Sequence, residues 1–297
     1  MKSDRPKILV VDANHQCHSA RYSTGSLGFK NIRTGIVFGF LSSILQLGHQ
    51  FRTNRFVFCW DDKKSSVRKT LSEDYKANRT KEKTDDEKKE DRQCYKQFDA
   101  IREDILPEMG FRNSFMQSSL EGDDLMARVV RDYPFERLVV VTEDQDLYQV
   151  LKYSHASIYH PRKKVFMNEA RFTRKYGIAP VQWVQVKMLA GCTTDNVAGV
   201  EGVGEKTAIK FLRKELKETS VVYQRIMSMG GQLTIGFNKA LVKLPHIATE
   251  KMRIVPDKFS KQGFLRTCEE YGLKSFMGPR MAEWKQLFQG NFDEESR

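Results

Sequence analysis

The sequence predicts an α/β protein with a central, mostly parallel sheet and helices on both faces. Three observations carry that expectation. Short apolar runs, KILVV (7–11), RFVFCW (55–60) and RLVVV (137–141), have the length and composition of buried strands. Between the first two lies GIVFGFLSSILQLGHQF (35–51), whose apolar residues recur at helical spacing. Strands separated by helices imply a parallel, doubly wound sheet.

The chain has 297 residues, enough for one large domain or two small ones. The expected partition is an α/β core over 1–180 with an insertion at about 62–96, a mostly helical region over 181–290, and a polar tail, 291–297. The formal net charge of +12 points to an acidic polymer partner, nucleic acid or an anionic membrane. A membrane span is not expected, because the longest apolar stretch, GIVFGFLSSILQLG, falls short of roughly 18 apolar residues and carries serines and Gln46. MKSDRPK does not read as a signal peptide. Five irregularly spaced cysteines argue against a disulfide framework and a zinc site, and favour a reducing, cytoplasmic setting. Residues 62–96 are dense in both charge signs. By composition alone they read as a solvated helix or a disordered insertion.

One pattern recurs. An apolar strand runs into an acid: ILVV to Asp12, FVFCW to Asp61, LVVVTE to Asp144. In open parallel sheets functional groups gather beyond the carboxyl ends of strands, so these acids should converge. EGDD adds Glu121, Asp123 and Asp124, and Asp146 follows Asp144 by two. Singly, each acid fits a bland reading: Ser118-x-x-Glu121 is a capping-box pattern, and Thr142 can cap a helix with acids in its first turn. Together, so many carboxylates on one edge would repel each other unless cations sit among them. All-oxygen ligation favours Mg²⁺ or Mn²⁺, with enough acids for two ions. Two such ions suit in-line phosphodiester displacement, by lowering the pKa of the attacking water and stabilising the transition-state charge.

GVEGVGEKT is close to a phosphate-binding Walker loop, but Glu205 separates the last glycine from Lys206. VQVKMLAG before it and KTAIKFLRKEL after it both read as helices. A glycine turn between helices, with Gly202, Gly204, Lys206 and Thr207, presents backbone N–H groups to a phosphate without reading sequence. Lys210, Arg213 and Lys214 would add salt-sensitive affinity.

These motifs, in this order, resemble the flap endonuclease / 5′→3′ exonuclease family, in its stand-alone bacteriophage form and in the 5′ nuclease domain of bacterial DNA polymerase I. VVDANH, GFLSSIL, FCWD, SVRKTLSEDYKANR, EGDDLMA, TEDQDLYQVL and GCTTDNVAGVEGVGEKTA carry the resemblance across nearly the whole chain. It implies a PIN-like 5′ nuclease core, a helical arch from the 62–96 insertion, and a helix-three-turn-helix that grips duplex DNA and a K⁺ ion. Asp12, Asp61, Glu121, Asp123 and Asp124 would form the first metal cluster. Asp146 and Asp195 would form the second, with Asp144 between them. Lys76 and Arg79 match basic residues that reach the scissile phosphate. Arg68, in the same arch motif, would bind DNA, Tyr75 is placed to stack a base, and Lys187 matches a basic, DNA-binding position ahead of the glycine turn. The implied enzyme is a monomer that cuts DNA at 5′ flaps and 5′ ends, and RNA primers in RNA–DNA hybrids.

Cys192 departs from the family pattern Gly-Asp-x-x-Asp-Asn. Thiolate is a poor ligand for Mg²⁺ and a better one for softer ions. A weakened second site is one expectation; a buried small side chain away from the metals is the other. The competing function is a structure-specific DNA-binding protein whose nuclease site has decayed. A related metal-dependent ribonuclease is a third reading.

Overall fold

The computed structural model describes residues 7–30, 32–62, 66–79, 82–290 and 292. The chain opens with β1 (Ile8–Asp12), α1 (Ala13–Thr24), a small hairpin of β2 (Gly28–Phe29) and β3 (Ile32–Arg33), α2 (Gly35–Phe51) and β4 (Phe56–Trp60). Next come α3 (Asp85–Ala100), α4 (Leu106–Met109), β5 (Ser114–Met116), α5 (Gly122–Asp132) and β6 (Leu138–Val141). β7 (Ala156–His160), β8 (Val165–Met167) and α6 (Glu169–Tyr176) follow. Then come α7 (Trp183–Ala190), a second hairpin of β9 (Gly191–Cys192) and β10 (Val197–Ala198), and α8 (Glu205–Leu212). The remaining helices are α9 (Val221–Met227), α10 (Met229–Val242), α11 (Lys261–Glu270), α12 (Lys274–Met277) and α13 (Met281–Gln289).

The main sheet has the order β5-β4-β1-β6-β7-β8. All its pairings are parallel except the last, β7 with β8. β1 is central and covered on both faces, which is why ILVV is continuously apolar rather than alternating. Successive side chains still point to opposite faces. Leu9 and Val11 enter a core with α1, α2 and the C-terminal helices α11 and α13. Ile8 and Val10 enter a second core with α5, α7 and α8. The helices after residue 180 therefore divide between the two faces of the sheet.

This topology sets the site. The chain leaves β1 towards β4 and β5 on one side, and later takes up β6 and β7 on the other, so the switch point lies beside β1. In the register, Asp12 pairs with Cys59 of β4 and Val11 pairs with Val141 of β6. The segments just beyond these strand ends, carrying Asp12, Asp61 and Asp144, thus open onto one edge.

The charge-rich insertion is largely ordered where it is described. Short 3₁₀ turns occupy Val67–Thr70 and Ala77–Arg79. α3 then starts at its own capping box: Thr84 N–H donates to Glu87 at 2.8 Å, and Glu87 N–H donates to the Thr84 hydroxyl at 3.3 Å. Positions 63–65 and 80–81 of the expected arch, and all of the expected tail but Phe292, lie outside the described residues.

Candidate active site

Asp12 caps α1, accepting from His15 N–H at 2.9 Å, while its other oxygen accepts from the Thr142 hydroxyl at 3.1 Å. Asp61 accepts from Gly122 N–H at 2.6 Å, and its own N–H donates to the Asn14 side chain at 3.0 Å. The first bond ties the end of β4 to the start of α5, which carries Asp123. Burial and the Asp61 charge raise Asp12 from 3.8 to about 7. Burial, then Asp144 and Asp12, raise Asp123. Asp144 reaches solvent, yet the protein around it and the Asp146 charge raise it to about 6. Carboxyls crowded until they hold protons near neutrality are a site that lacks positive charge. The oxygen donor set fits hard divalent ions.

Glu121 differs. Burial opposes its ionisation, but Lys76 and Arg68 outweigh it and hold the carboxyl below its usual range. Lys76 Nζ lies 2.7 Å from Glu121 and 3.9 Å from Asp195. Its backbone has a φ of 57°, in the left-handed region, and its N–H donates to Asp195 C=O at 2.8 Å. Asn78 donates to Thr193 C=O and Asn196 to Asp74 C=O, both at 2.9 Å. The arch base is thus latched across the site onto the 193–196 turn.

The second cluster contains Cys192. One ligand atom each from Asp146, Cys192 and Asp195 all lie within 4.8 Å of one another. Cys192 Sγ stands 3.8 Å from Asp146 and 3.0 Å from the Thr194 hydroxyl. Burial, then Asp146, push the thiol above its ordinary value. Cys192 therefore sits beside Asp146 and Asp195 rather than in a remote core.

Four expectations are corrected. Asp124 is fully buried and accepts two bonds from Arg68, at 2.6 and 2.8 Å, so its oxygens face away from the acid cluster. Adjacent residues on a helix do not share a face, so Asp123 and Asp124 diverge. Arg68 is 1% exposed and also donates its Nε–H to Leu241 C=O at 2.7 Å, so it is buried out of reach of DNA. It is a clamp joining the arch base, α5 and the end of α10. Tyr75 is 2% exposed, with its hydroxyl 3.2 Å from Glu121 and 3.4 Å from Asp195, so its ring cannot stack a base. Lys187 turns inward to Asp146 at 2.7 Å instead of outward to a duplex.

The glycine turn lies at the surface, at the start of α8. Gly202 has a φ of 77° and lies exposed, and a side chain at Gly204 would meet open space. Gly204 caps α8, Lys206 is exposed and Thr207 half-exposed. The side chain of Arg79 lies outside the described ones. The Ser118 capping box does not form: α5 starts after Glu121, which has no side-chain cap bond.

Residues 7–177 match the model of the 5′-3′ exonuclease N-terminal resolvase-like domain. A Bacillus subtilis 5′-3′ exonuclease is 31% identical over 218 residues, covering 70% of each chain. The chain belongs to the 5′-3′ exonuclease family. It also matches a DNA polymerase I of Mycobacterium leprae at 29% identity, spanning 23% of that longer protein. Among solved structures, a bacteriophage T5 protein crystallised with metal ions superposes with a TM-score of 0.69 at 20% identity, over 80% of this chain and 90% of the other. The Rad2 catalytic core bound to a DNA substrate superposes at 0.58 and 13% identity, over 96% and 92%. Both share the fold of this family member.

Proposed function

We propose that this chain is a divalent-metal-dependent, structure-specific 5′ nuclease that cuts DNA at 5′ flaps and 5′ ends. The observation that carries the reading is the convergence of Asp12, Asp61, Asp123, Asp144 and the Asp146–Cys192–Asp195 group on one edge, with Lys76 between the two clusters. Divalent cations, Mg²⁺ or Mn²⁺, supply a more acidic attacking water and stabilise the charge of in-line displacement. Asp12, Asp61, Glu121 and Asp123 hold the first ion; Asp146, Asp195 and the Cys192 thiol hold a weaker second one. Lys76, which pairs with Glu121 at 2.7 Å, would neutralise the scissile phosphate, and Arg79 would share that role. The turn at Gly202, Gly204, Lys206 and Thr207 holds duplex phosphates, with a K⁺ ion as its counter-charge partner. The protein acts as a monomer, and RNA–DNA hybrids are substrates as well. All five cysteines are free thiols, which supports work in a reducing cytoplasm, the host's if the source is viral. Among the described residues no helix is long and apolar enough to cross a membrane.

The runner-up is a DNA-binding protein with a decayed site, and Cys192 in the second cluster is its one supporting observation. A labelled 5′-flap duplex separates the two readings. Cutting with Mg²⁺ or Mn²⁺, and none with chelator, supports the nuclease. A gel shift without cutting under either metal supports the binder.

A further inference from the structure

Asp12 and Asp144 reach the carboxyl edge at the ends of two different strands, β1 and β6. Thr142 lies between them. It follows Val141, the last residue of β6, and its N–H still donates to Tyr159 C=O of β7 at 3.2 Å. Its side chain is fully buried. A β-branched residue suits such a position, so the methyl group and the shape of Thr142 have an ordinary structural reason. The hydroxyl does not share it. A valine would fill nearly the same volume and bring no buried polar atom that needs partners.

The direction of each bond to that hydroxyl follows from what its partners can do. Asp144 N–H lies 3.1 Å from Thr142 Oγ1 and can only donate, so the hydroxyl oxygen accepts there. The hydroxyl hydrogen then goes to Asp12 Oδ2, 3.1 Å away. Asp12 Oδ1 accepts from His15 N–H at 2.9 Å. Each oxygen of Asp12 thus has one protein donor, which fixes the plane of the carboxylate and leaves lone pairs on both oxygens for a cation. On the other side, Asp144 Oδ1 accepts from Asp146 N–H at 2.7 Å. One hydroxyl therefore heads a run of bonds from Asp12 through Asp144 to Asp146, which belongs to the group with Cys192 and Asp195. The far end of the turn is held separately, by the buried Trp183 indole N–H donating to Gln145 C=O at 2.7 Å. Loss of the hydroxyl would loosen the spacing of Asp12 and Asp144 without releasing the turn.

We propose that Thr142 is a positioning residue of the metal centre: its hydroxyl orients the Asp12 carboxylate, sets its spacing from the Asp144–Asp146 turn, and through these acids sets the affinity for divalent ions. It acts only through the acids and touches neither ion nor substrate. This role rests on the divalent-metal reading of the site. Groups that hydrogen-bond metal-ligating side chains are worth roughly 10- to 100-fold in metal affinity.

The test compares wild type with Thr142→Val, which removes the hydroxyl at nearly constant volume, and with Thr142→Ser, which keeps it. Melting temperature is followed as Mn²⁺, and separately Mg²⁺, is added to metal-free protein, and flap cleavage is followed in the same titrations. In Thr142→Val the metal concentration for half the full effect should rise roughly 10- to 100-fold in both readouts. Its affinity for a flapless duplex in chelator should be unchanged. Thr142→Ser should titrate as wild type does. A second pair, Thr142→Ser against Thr142→Ala, differs by the hydroxyl alone and gives the same comparison if Thr142→Val does not fold. If the variants without the hydroxyl titrate like those that have it, or Thr142→Ser shifts as far as Thr142→Val, the role of Thr142 is overturned and the divalent-metal reading stands. If wild type neither gains melting temperature nor cuts with either ion, the divalent-metal reading falls and the role of Thr142 falls with it.

Discussion

Replacing Cys192 with aspartate restores the acid that the family pattern carries, and the structure sets the size of the effect. Cys192 Sγ lies 3.8 Å from an Asp146 oxygen, within a group whose ligand atoms span no more than 4.8 Å. A carboxylate there would face Asp146 at about 4 Å. Their repulsion is about 1 kcal/mol if water screens it fully and about 4 kcal/mol at the effective dielectric of a protein surface. Lys187, 2.7 Å from Asp146, offsets part of this. A divalent ion at a comparable distance attracts the added carboxylate by at least as much, and that attraction is the gain in metal affinity. At about 1.4 kcal/mol per tenfold change, Cys192→Asp should tighten the second ion by roughly 5- to 1,000-fold. Mg²⁺ should gain more than Mn²⁺, because the thiol it replaces suits the softer ion better. The assay is flap cleavage across Mg²⁺ and Mn²⁺ titrations, paired with melting temperature in the same titrations. The variant should saturate at lower Mg²⁺ and melt lower in chelator. Superimposable metal curves and equal melting in chelator would refute the placement of Cys192 in a working metal site.

Other consequences follow from the same geometry. Lys76→Ala should lower kcat by about 10²- to 10³-fold with affinity for flapless duplex unchanged, since on the proposed reading Lys76, beside Glu121, serves the reacting phosphate and not the helical grip. Lys206→Ala should weaken duplex binding at every sequence and reduce the slope of log affinity against log salt by about one. Asp124→Ala removes both short bonds to the buried Arg68 guanidinium and leaves it only Glu121 at 3.9 Å as an ionic partner, which should cost about 3–5 kcal/mol and lower the melting temperature by on the order of 10 °C. Asp12, raised from 3.8 to about 7, binds its proton more tightly folded than unfolded; it favours the fold below about pH 4, and that advantage is lost as pH rises through about 7. Metal-free protein should therefore be less stable, and melt lower, at about pH 8 than at about pH 5.5, by about 2 kcal/mol from this group, and added Mg²⁺ should reverse the difference.

The strands that mattered were legible because they are buried on both faces. ILVV, FVFCW and LVVV leave no other reading, and the acids that follow them inherit their position from the sheet. β5 and β7 were not foreseen: SFM is three residues long, and ASIYH mixes polar with apolar residues. α3 carried a signal that went unread, Thr84-x-x-Glu87, because the surrounding charge suggested solvent rather than a cap. The site residues that failed share one cause. Arg68, Tyr75, Asp124 and Lys187 have the right chemistry for phosphate, bases or metal, and a motif records chemistry without direction. Their partners are distant in sequence, Arg68 reaching Leu241 and Tyr75 reaching Asp195, so the direction of each side chain is decided by tertiary packing.

That same packing explains how a protein of this net charge keeps so many carboxylates together. Lys76 and Lys187 stand 2.7 Å from Glu121 and Asp146, one lysine in each cluster, as built-in counter-ions. Neither position is neutral with respect to function. On the proposed reading, a divalent ion held by Glu121 would compete with the Lys76 ammonium, which would then be available to a phosphate. A phosphate that draws Lys76 away likewise leaves Glu121 short of positive charge and readier to bind an ion. By linkage the two events favour each other by the same free energy. The Lys76 N–H bond to Asp195 C=O and the bridges from Asn78 and Asn196 extend this coupling to the second cluster, because the turn that carries Lys76 is fastened to the turn that carries Asp195. On that reading metal occupancy and substrate engagement would be joined through one short stretch of chain, and a substitution that loosens it should alter both together.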